Sequence, residues 1–134
     1  MHHVVALVHE DEGRYGISFP DFPGCVSGGD SLDAAVSRGA ATLASHVEAL
    51  LEGGDPMPQI RSLGELRADP EFREDAEGAV IVAVPVELPG RAVRVNISMD
   101  ENLVARIDQA AKAQGLSRSG FLAVAARKEL AGER

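Results

Sequence analysis

The chain has 134 residues, 45% of them hydrophobic but only 4% aromatic and none tryptophan, so its cores are built from Val, Leu, Ile and Ala in one domain or two small ones. A single cysteine, Cys25, excludes an internal disulfide framework and fits a reducing cytoplasm, and no apolar run approaches the length of a membrane span. The net charge of -8 is split unevenly: residues 1–90 carry 5 Lys/Arg against 16 Asp/Glu, residues 91–134 carry 8 against 5, and an acidic body followed by a basic tail implies two different partners.

His3 to Val8 has the β-rich, apolar composition of a strand. It is too short for a secretory leader, and His9-Glu10-Asp11-Glu12 follows it directly. Asp11-Glu12-Gly13 is a turn signal, and Tyr15 to Phe19 alternates as the returning strand. Pro20, Pro23 and Gly24 mark a loop. Cys25-Val26-Ser27 offers a short third strand, which Gly28-Gly29 is expected to break. Asp30 or Ser31 caps a long helix with Asp33 in its first turn, where the helix dipole favours a negative charge. Leu32, Val36, Leu43, Val47, Leu50 and Leu51 form its apolar stripe with Ala40 between them, and Gly53-Gly54 and Pro56 end it.

Residues 56–78 are polar and punctuated, which predicts a loop with helical turns near Leu63–Leu66 and Glu71–Phe72. Ala79 to Val84 is a continuous apolar run, the pattern of a strand covered on both faces. Pro85 should end its pairing or lie at a sheet edge. Leu88-Pro89-Gly90 is a linker, so the chain divides into residues 1–88 and 89–134. The expected fold class is α+β: a small antiparallel sheet with one helix across it, then a separate tail domain.

The tail begins with strict alternation over Arg94 to Met99. A strand places Val95, Ile97 and Met99 on one side and Arg94, Asn96 and Ser98 on the other. Asp100 caps a helix carrying Leu103, Val104, Ile107 and Ala111, and Gly115 stops it. Ser117 caps a second helix carrying Phe121, Leu122, Val124, Ala125 and Leu130. One strand and two short helices cannot close a core, and a lone strand leaves its backbone groups unpaired. A second copy solves both problems: two strands pair antiparallel across a twofold axis and four helices cover the ribbon. Its outer face then carries Arg94, Asn96 and Ser98 from each chain, types that suit base edges in a major groove. Alternating polar residues are also what any exposed strand shows, so a plain dimerisation module stays open at this point.

Two resemblances extend this reading. The strand, the capped helix, the GLSRSGFL turn and the closing helix resemble the ribbon-helix-helix DNA-binding fold over Arg94 to Leu130. That resemblance implies groove reading by Arg94, Asn96 and Ser98, and backbone-phosphate binding by Leu116, Ser117 and Arg118 at the second helix start. In the front half, GRYGISFPDFPGCVSGGDSLDAAVSRGAATLASHVEALLEGGDPMP and the later SLGELRADPEF are similar to the HicB antitoxin family, whose front domain resembles a cut-down RNase H fold. The resemblance implies a protein partner, a HicA-like mRNA-cleaving toxin whose active site is covered. It also implies double-stranded operator DNA as the second partner, gripped by a homodimer that pairs further into a tetramer if the front domains associate. Asp11, Glu12, Asp21 and Asp30, near strand ends, are the candidate toxin contacts.

Other chemistries are expected to be absent. Two-metal hydrolysis needs carboxylates converging from strands and a helix, and the predicted strands hold almost none; turn formation accounts for Asp11, Asp21 and Asp30. His2, His3 and His9 lack the spacing of a metal site, and Cys25 with His46 lacks a third orienting group. Gly28-Gly29 before a helix start can accept an anion, but a tight turn needs the same glycines. No catalytic residue, metal or cofactor is therefore expected. A stand-alone repressor whose front domain senses a small ligand or metal is the rival reading; it predicts a concave apolar pocket and no toxin-like neighbouring gene.

Overall fold

A computed structural model describes residues 1–132. The chain divides into two compact units, Met1–Val47 with Pro58–Leu88, and Glu48–Met57 with the residues from Pro89 onward. The first unit is built on four antiparallel strands: β1 (His2–Asp11), β2 (Arg14–Ser18), β3 (Val26–Gly29) and β4 (Val80–Val86), in the order β3-β2-β1-β4. Asp11 pairs with Arg14, so Glu12 and Gly13 alone form the hairpin turn, at φ 50° and 79°. Both are left-handed, as a two-residue turn needs if it is to match the twist of its strands.

In β1, Val4, Ala6 and Val8 are buried on one face, where Ile17 lies opposite Val8 and Val84 opposite Val4. The long helix α1 (Leu32–Glu52) buries Ala35, Gly39, Leu43 and Val47, one residue per turn. A Cβ on Gly39 would lie 2.8 Å from Ile17 Cδ1, so the helix approaches the sheet where only glycine fits. Each large aliphatic side chain buried here contributes roughly 1.5–3 kcal/mol. Ser31 caps α1, its Oγ accepting the Ala34 N–H at 3.1 Å.

The opposite face is covered as well. The segment expected to form isolated turns makes two short helices, α2 (Leu63–Arg67) and α3 (Pro70–Asp75). Leu66 and Phe72 join Leu7 in a second buried cluster, flanked by Val5, Leu63, Ala76 and Ala79. Both helices start on side-chain caps. Ser62 and Glu65 satisfy each other's backbone N–H groups, and Asp69 accepts from the Glu71 N–H with Pro70 in the first turn.

Three expectations are corrected. β4 is an edge strand, not one covered on both faces. Val84 and Val86 are buried, but Val80 is 51% exposed and Ile81, Ala83 and Pro85 face solvent, because the short helices bring their apolar residues to Leu7 of β1. Pro85 lies on that edge, opposite His3, as its missing N–H predicts. Gly28 and Gly29 do not break β3; they pair with Gly16 and Tyr15. A Cβ on Gly28 would lie 2.8 Å from the Tyr15 carbonyl oxygen, and one on Gly29 2.8 Å from the Ala34 Cβ. Leu32 is exposed, and the small residues Ala35 and Gly39 take the inner stripe that it was expected to share.

The second unit holds α4 (Glu101–Ala113) and α5 (Arg118–Leu130). Asp100 accepts the Leu103 N–H at 2.9 Å, Ser117 accepts the Gly120 N–H at 3.0 Å, and Gly115 turns the chain between the helices at φ 71°. Ile107, Ala111 and Val124 are buried, whereas Leu103, Ala125 and Leu130 remain exposed. Residues 91–100 belong to no helix or ladder within the chain. The strand expected over Arg94–Met99 is thus not formed within the chain.

Candidate functional site

The tail presents the first candidate surface. Arg94, Asn96 and Ser98 are exposed on the unpaired segment, and Val95 and Ile97 are exposed too, at 70% and 61%. Asn96 and Ser98 border an open groove with Val95, Ile97 and Met99, walled by α4 and α5 through Val104, Ile107 and Leu122. Arg118 and Ser119, from the first turn of α5, line the same groove. The structure therefore brings the alternating segment and the second helix start together within this unit.

The three residues mapped to phosphate binding have different surroundings. Leu116 is half-buried, and a Cβ on Gly54 would lie 2.6 Å from its Cδ2, so its side chain packs inside the unit. The Ser117 hydroxyl is occupied as the helix cap. Arg118 donates from Nε and an Nη to both oxygens of Asp108, at 2.9 and 2.8 Å. That hydrogen-bonded pairing holds the Asp108 carboxyl below the usual carboxylate range and raises the guanidinium further. Sequence reasoning missed Asp108; its only signal is a carboxylate on the preceding helix, ten positions earlier.

The first unit carries the other candidates. Asp11, Glu12 and Asp30 are exposed and line one open groove of about 980 Å³ beside the hairpin turn. Arg14, Arg38 and Tyr15 line it too, so three carboxylates face two guanidinium groups there. A hydrogen bond from the Tyr15 hydroxyl to Glu10, and the Glu10 charge, push the tyrosine above its ordinary value.

Asp21 does not join them. It is only 6% exposed, and Arg61 takes both of its oxygens, through the backbone N–H at 2.8 Å and Nε at 2.7 Å. The same guanidinium reaches Asp69 Oδ2 at 3.0 Å. Arg61 thereby ties the loop after β2 to the cap of α3, and its hydrogen bond lowers the Asp69 carboxyl. Asp21 was expected as an exposed loop carboxylate; its burial makes it a structural anchor.

Other groups weighed for chemistry are engaged in packing. The His46 ring meets Phe22 edge-on, with centroids 5.9 Å apart. Burial pushes the Cys25 thiol up, away from the reactive thiolate. His9 Nε2 lies 2.8 Å from the Asp75 carbonyl oxygen. Among the described residues no group of three His, Cys, Asp or Glu side chains is arranged to hold a metal, and no helix is long and apolar enough to cross a membrane. A feature missed from the sequence is a line of exposed carboxylates on and after α3, at Glu71, Glu74, Asp75 and Glu77. The spacing of the first three, at i, i+3 and i+4 of PEFRED, was its signal.

Comparison with known proteins agrees across both units. Residues 3–126 match the family described as HicB_like antitoxin of bacterial toxin-antitoxin system. An uncharacterized 14.9 kDa protein in the rep-hol intergenic region of Haemophilus phage HP1 (strain HP1c1) is 31% identical over 121 residues, 87% of this chain and 88% of that protein. The crystal structure of the Burkholderia pseudomallei antitoxin HicB is similar over 100% of both chains, at 33% identity and a TM-score of 0.54. That of antitoxin HicB3 is similar over 95% of this chain and 96% of the other, at 27% identity and 0.53. With the family match spanning the sheet, its helices and most of the tail, the chain belongs to the HicB-like antitoxin family of bacterial toxin–antitoxin systems.

Proposed function

We propose that this chain is an antitoxin that binds and inhibits a HicA-like, mRNA-cleaving toxin and represses its own operon by gripping operator DNA as a ribbon-helix-helix dimer. The observation that carries the DNA half is the unpaired segment Arg94–Met99. Its Val95 and Ile97 are largely exposed, and its polar residues are of base-reading type. A partner strand from a second copy would satisfy its backbone and leave Arg94, Asn96 and Ser98 outward. The family match supports the toxin half, and the acidic front half is complementary to a basic RNA-binding protein.

At the second helix start, Leu116, Ser117 and Arg118 contribute mainly through backbone N–H groups, which with the helix dipole favour a phosphate. Arg118 adds its charge only in competition with Asp108. On the front domain, Asp11, Glu12 and Asp30 remain candidate toxin contacts, and Asp21 supports the loop beside them.

Two titrations test the reading. Asn96→Ala is expected to cost about 1–3 kcal/mol at one base position of the operator. Arg118→Ala is expected to weaken binding to all sequences alike and flatten the salt dependence. Unchanged operator affinity in Asn96→Ala removes the ribbon assignment. For the toxin, adding this chain to the small protein encoded by the adjacent reading frame should abolish RNA cleavage at equimolar ratio; undiminished cleavage refutes inhibition.

A further inference from the structure

We propose that the groove between the loop after β2 and the carboxylate line of α3 is the surface that takes a lysine- or arginine-bearing segment of the toxin. This deepens the toxin-binding reading and rests on it. The groove encloses about 680 Å³. Leu7, Phe19, Phe22 and Cys25, all buried, contribute its apolar side, and Pro20 and Pro23 stiffen the loop at its rim. Its other wall carries Glu71, Glu74, Asp75 and Glu77, every one exposed.

The argument for a cationic protein occupant is the imbalance of charge in this one place. No lysine or arginine lines the groove. Of the arginines on this side of the sheet, Arg61 is paired with Asp21 and Asp69, Arg73 donates to the Arg67 carbonyl oxygen at 2.7 Å, and the exposed Arg67 does not line the groove. The four groove carboxylates make no ion pair in the described residues. A guanidinium or ammonium placed among the four carboxylates complements their charge, while its aliphatic stem lies against Val26, the 63% exposed apolar residue of the lining. The hairpin groove near Asp11 lacks this asymmetry, because Arg14 and Arg38 already face its carboxylates.

The position is also mechanically defined. Phe72 and Ala76 turn the other side of α3 onto the sheet, Asp69 and Pro70 fix its first turn, and His9 meets the carbonyl of Asp75 at its last residue. Glu71, Glu74 and Asp75 therefore project from a held helix, with Glu77 in the turn that follows it, which limits the ordering cost of binding.

The test uses the full chain and a cleavage-dead form of the protein from the adjacent reading frame, with affinity measured by calorimetry at low and high salt. Glu71→Gln with Glu74→Gln and Glu77→Gln is set against a control, Glu48→Gln with Glu52→Gln and Glu87→Gln, three exposed carboxylates that do not line the groove. The groove variant is expected to lose roughly 30-fold or more in affinity and most of the salt dependence, while the control variant, with the same charge change, stays within about threefold of the unaltered chain. Thermal melts of both variants, expected unchanged, separate lost contact from lost fold. A groove variant that binds like the unaltered chain, or a control variant that loses as much, overturns the assignment. If the unaltered chain does not bind the neighbouring protein at all, the toxin-binding reading falls, and the groove assignment with it.

Discussion

The front sheet and the tail segment begin from the same kind of sequence and end differently. In β1, Val4, Ala6 and Val8 lie beneath α1, and Leu7 beneath α2 and α3, so both faces find cover within the chain. In the tail, Val95 and Ile97 alternate with polar residues, yet both remain largely exposed and join no ladder among the described residues. Alternation fixes which residues share a face; it does not say whether the cover belongs to the same molecule. The contrast makes the proposed dimer the most sensitive point of the protein. Ile97→Lys places a charge on the face that two copies would bury, once from each copy. It is expected to raise the dimer dissociation constant roughly 1000-fold, read by sedimentation equilibrium, and to abolish operator binding. The front domain's thermal transition should not move. A variant that remains dimeric would show that the two copies meet elsewhere.

The reciprocal change belongs in the front domain. Leu66→Ala removes a fully buried side chain from the cluster with Leu7 and Phe72 and should lower stability by about 2–5 kcal/mol in urea denaturation. Self-association should be unaffected if the two units stand independently. A loss of dimer alongside the loss of fold would mean that the front domain helps to hold the copies together.

Asp21→Ala probes an interaction that joins two distant stretches of the same domain. It leaves the Arg61 backbone N–H without its acceptor in a poorly hydrated place and releases the guanidinium, at an expected cost of about 1–3 kcal/mol. Asp69→Ala removes the outer half of the same clamp and one helix cap, and should cost less. Equal losses would mean that the helix cap, not the buried carboxylate, is the main support.

What was legible in the sequence follows the range of the interactions. The hairpin at Glu12-Gly13, the caps at Ser31, Asp100 and Ser117, and the stop at Gly115 depend on residues within a few positions of one another. Local propensity writes these directly. The Asp21–Arg61 pair spans forty positions and the Asp108–Arg118 pair ten, and nothing in either local pattern names the partner. The same limit explains Gly39 and Gly28. Each looks like a weakness in its own element, and only the neighbouring side chain or carbonyl reveals why a Cβ is excluded. The groove beside α3 was hidden for a further reason. Its carboxylates lie in a stretch whose polarity suggested a loop, and a six-residue helix leaves too few apolar positions to announce itself.

Acid should weaken both units through paired carboxylates. Hydrogen bonds from Arg61 lower Asp69, and those from Arg118 lower Asp108. A carboxyl lowered by folding contributes stability above its unfolded value, near 3.9 for aspartate, and that contribution is lost as pH falls through the lower folded value. Asp69→Asn should therefore melt below the unaltered chain at pH 7, and the difference should shrink as pH falls through the lowered folded value. Both groups are partly exposed, so the gap is expected to be small. A gap that does not narrow as the pH is lowered would assign the effect to the lost cap geometry instead of the charge.

The smallest effect expected concerns how the tail meets phosphate. Arg118 stands at the start of α5, but Asp108 accepts from its Nε and one Nη, so in the proposed DNA-binding role its charge is already paired within the chain. Binding a phosphate there requires the guanidinium to turn from Asp108 or to share it. Asp108→Asn removes the competing charge and keeps the shape. Operator affinity should rise about two- to fivefold, the worth of an exposed ion pair, with a steeper dependence on salt. The gain should be the same on operator and unrelated DNA, since a phosphate carries no sequence. A gain confined to the operator would show that Arg118 reads a base, and a loss of affinity would show that Asp108 aims the guanidinium at the backbone instead of withholding it.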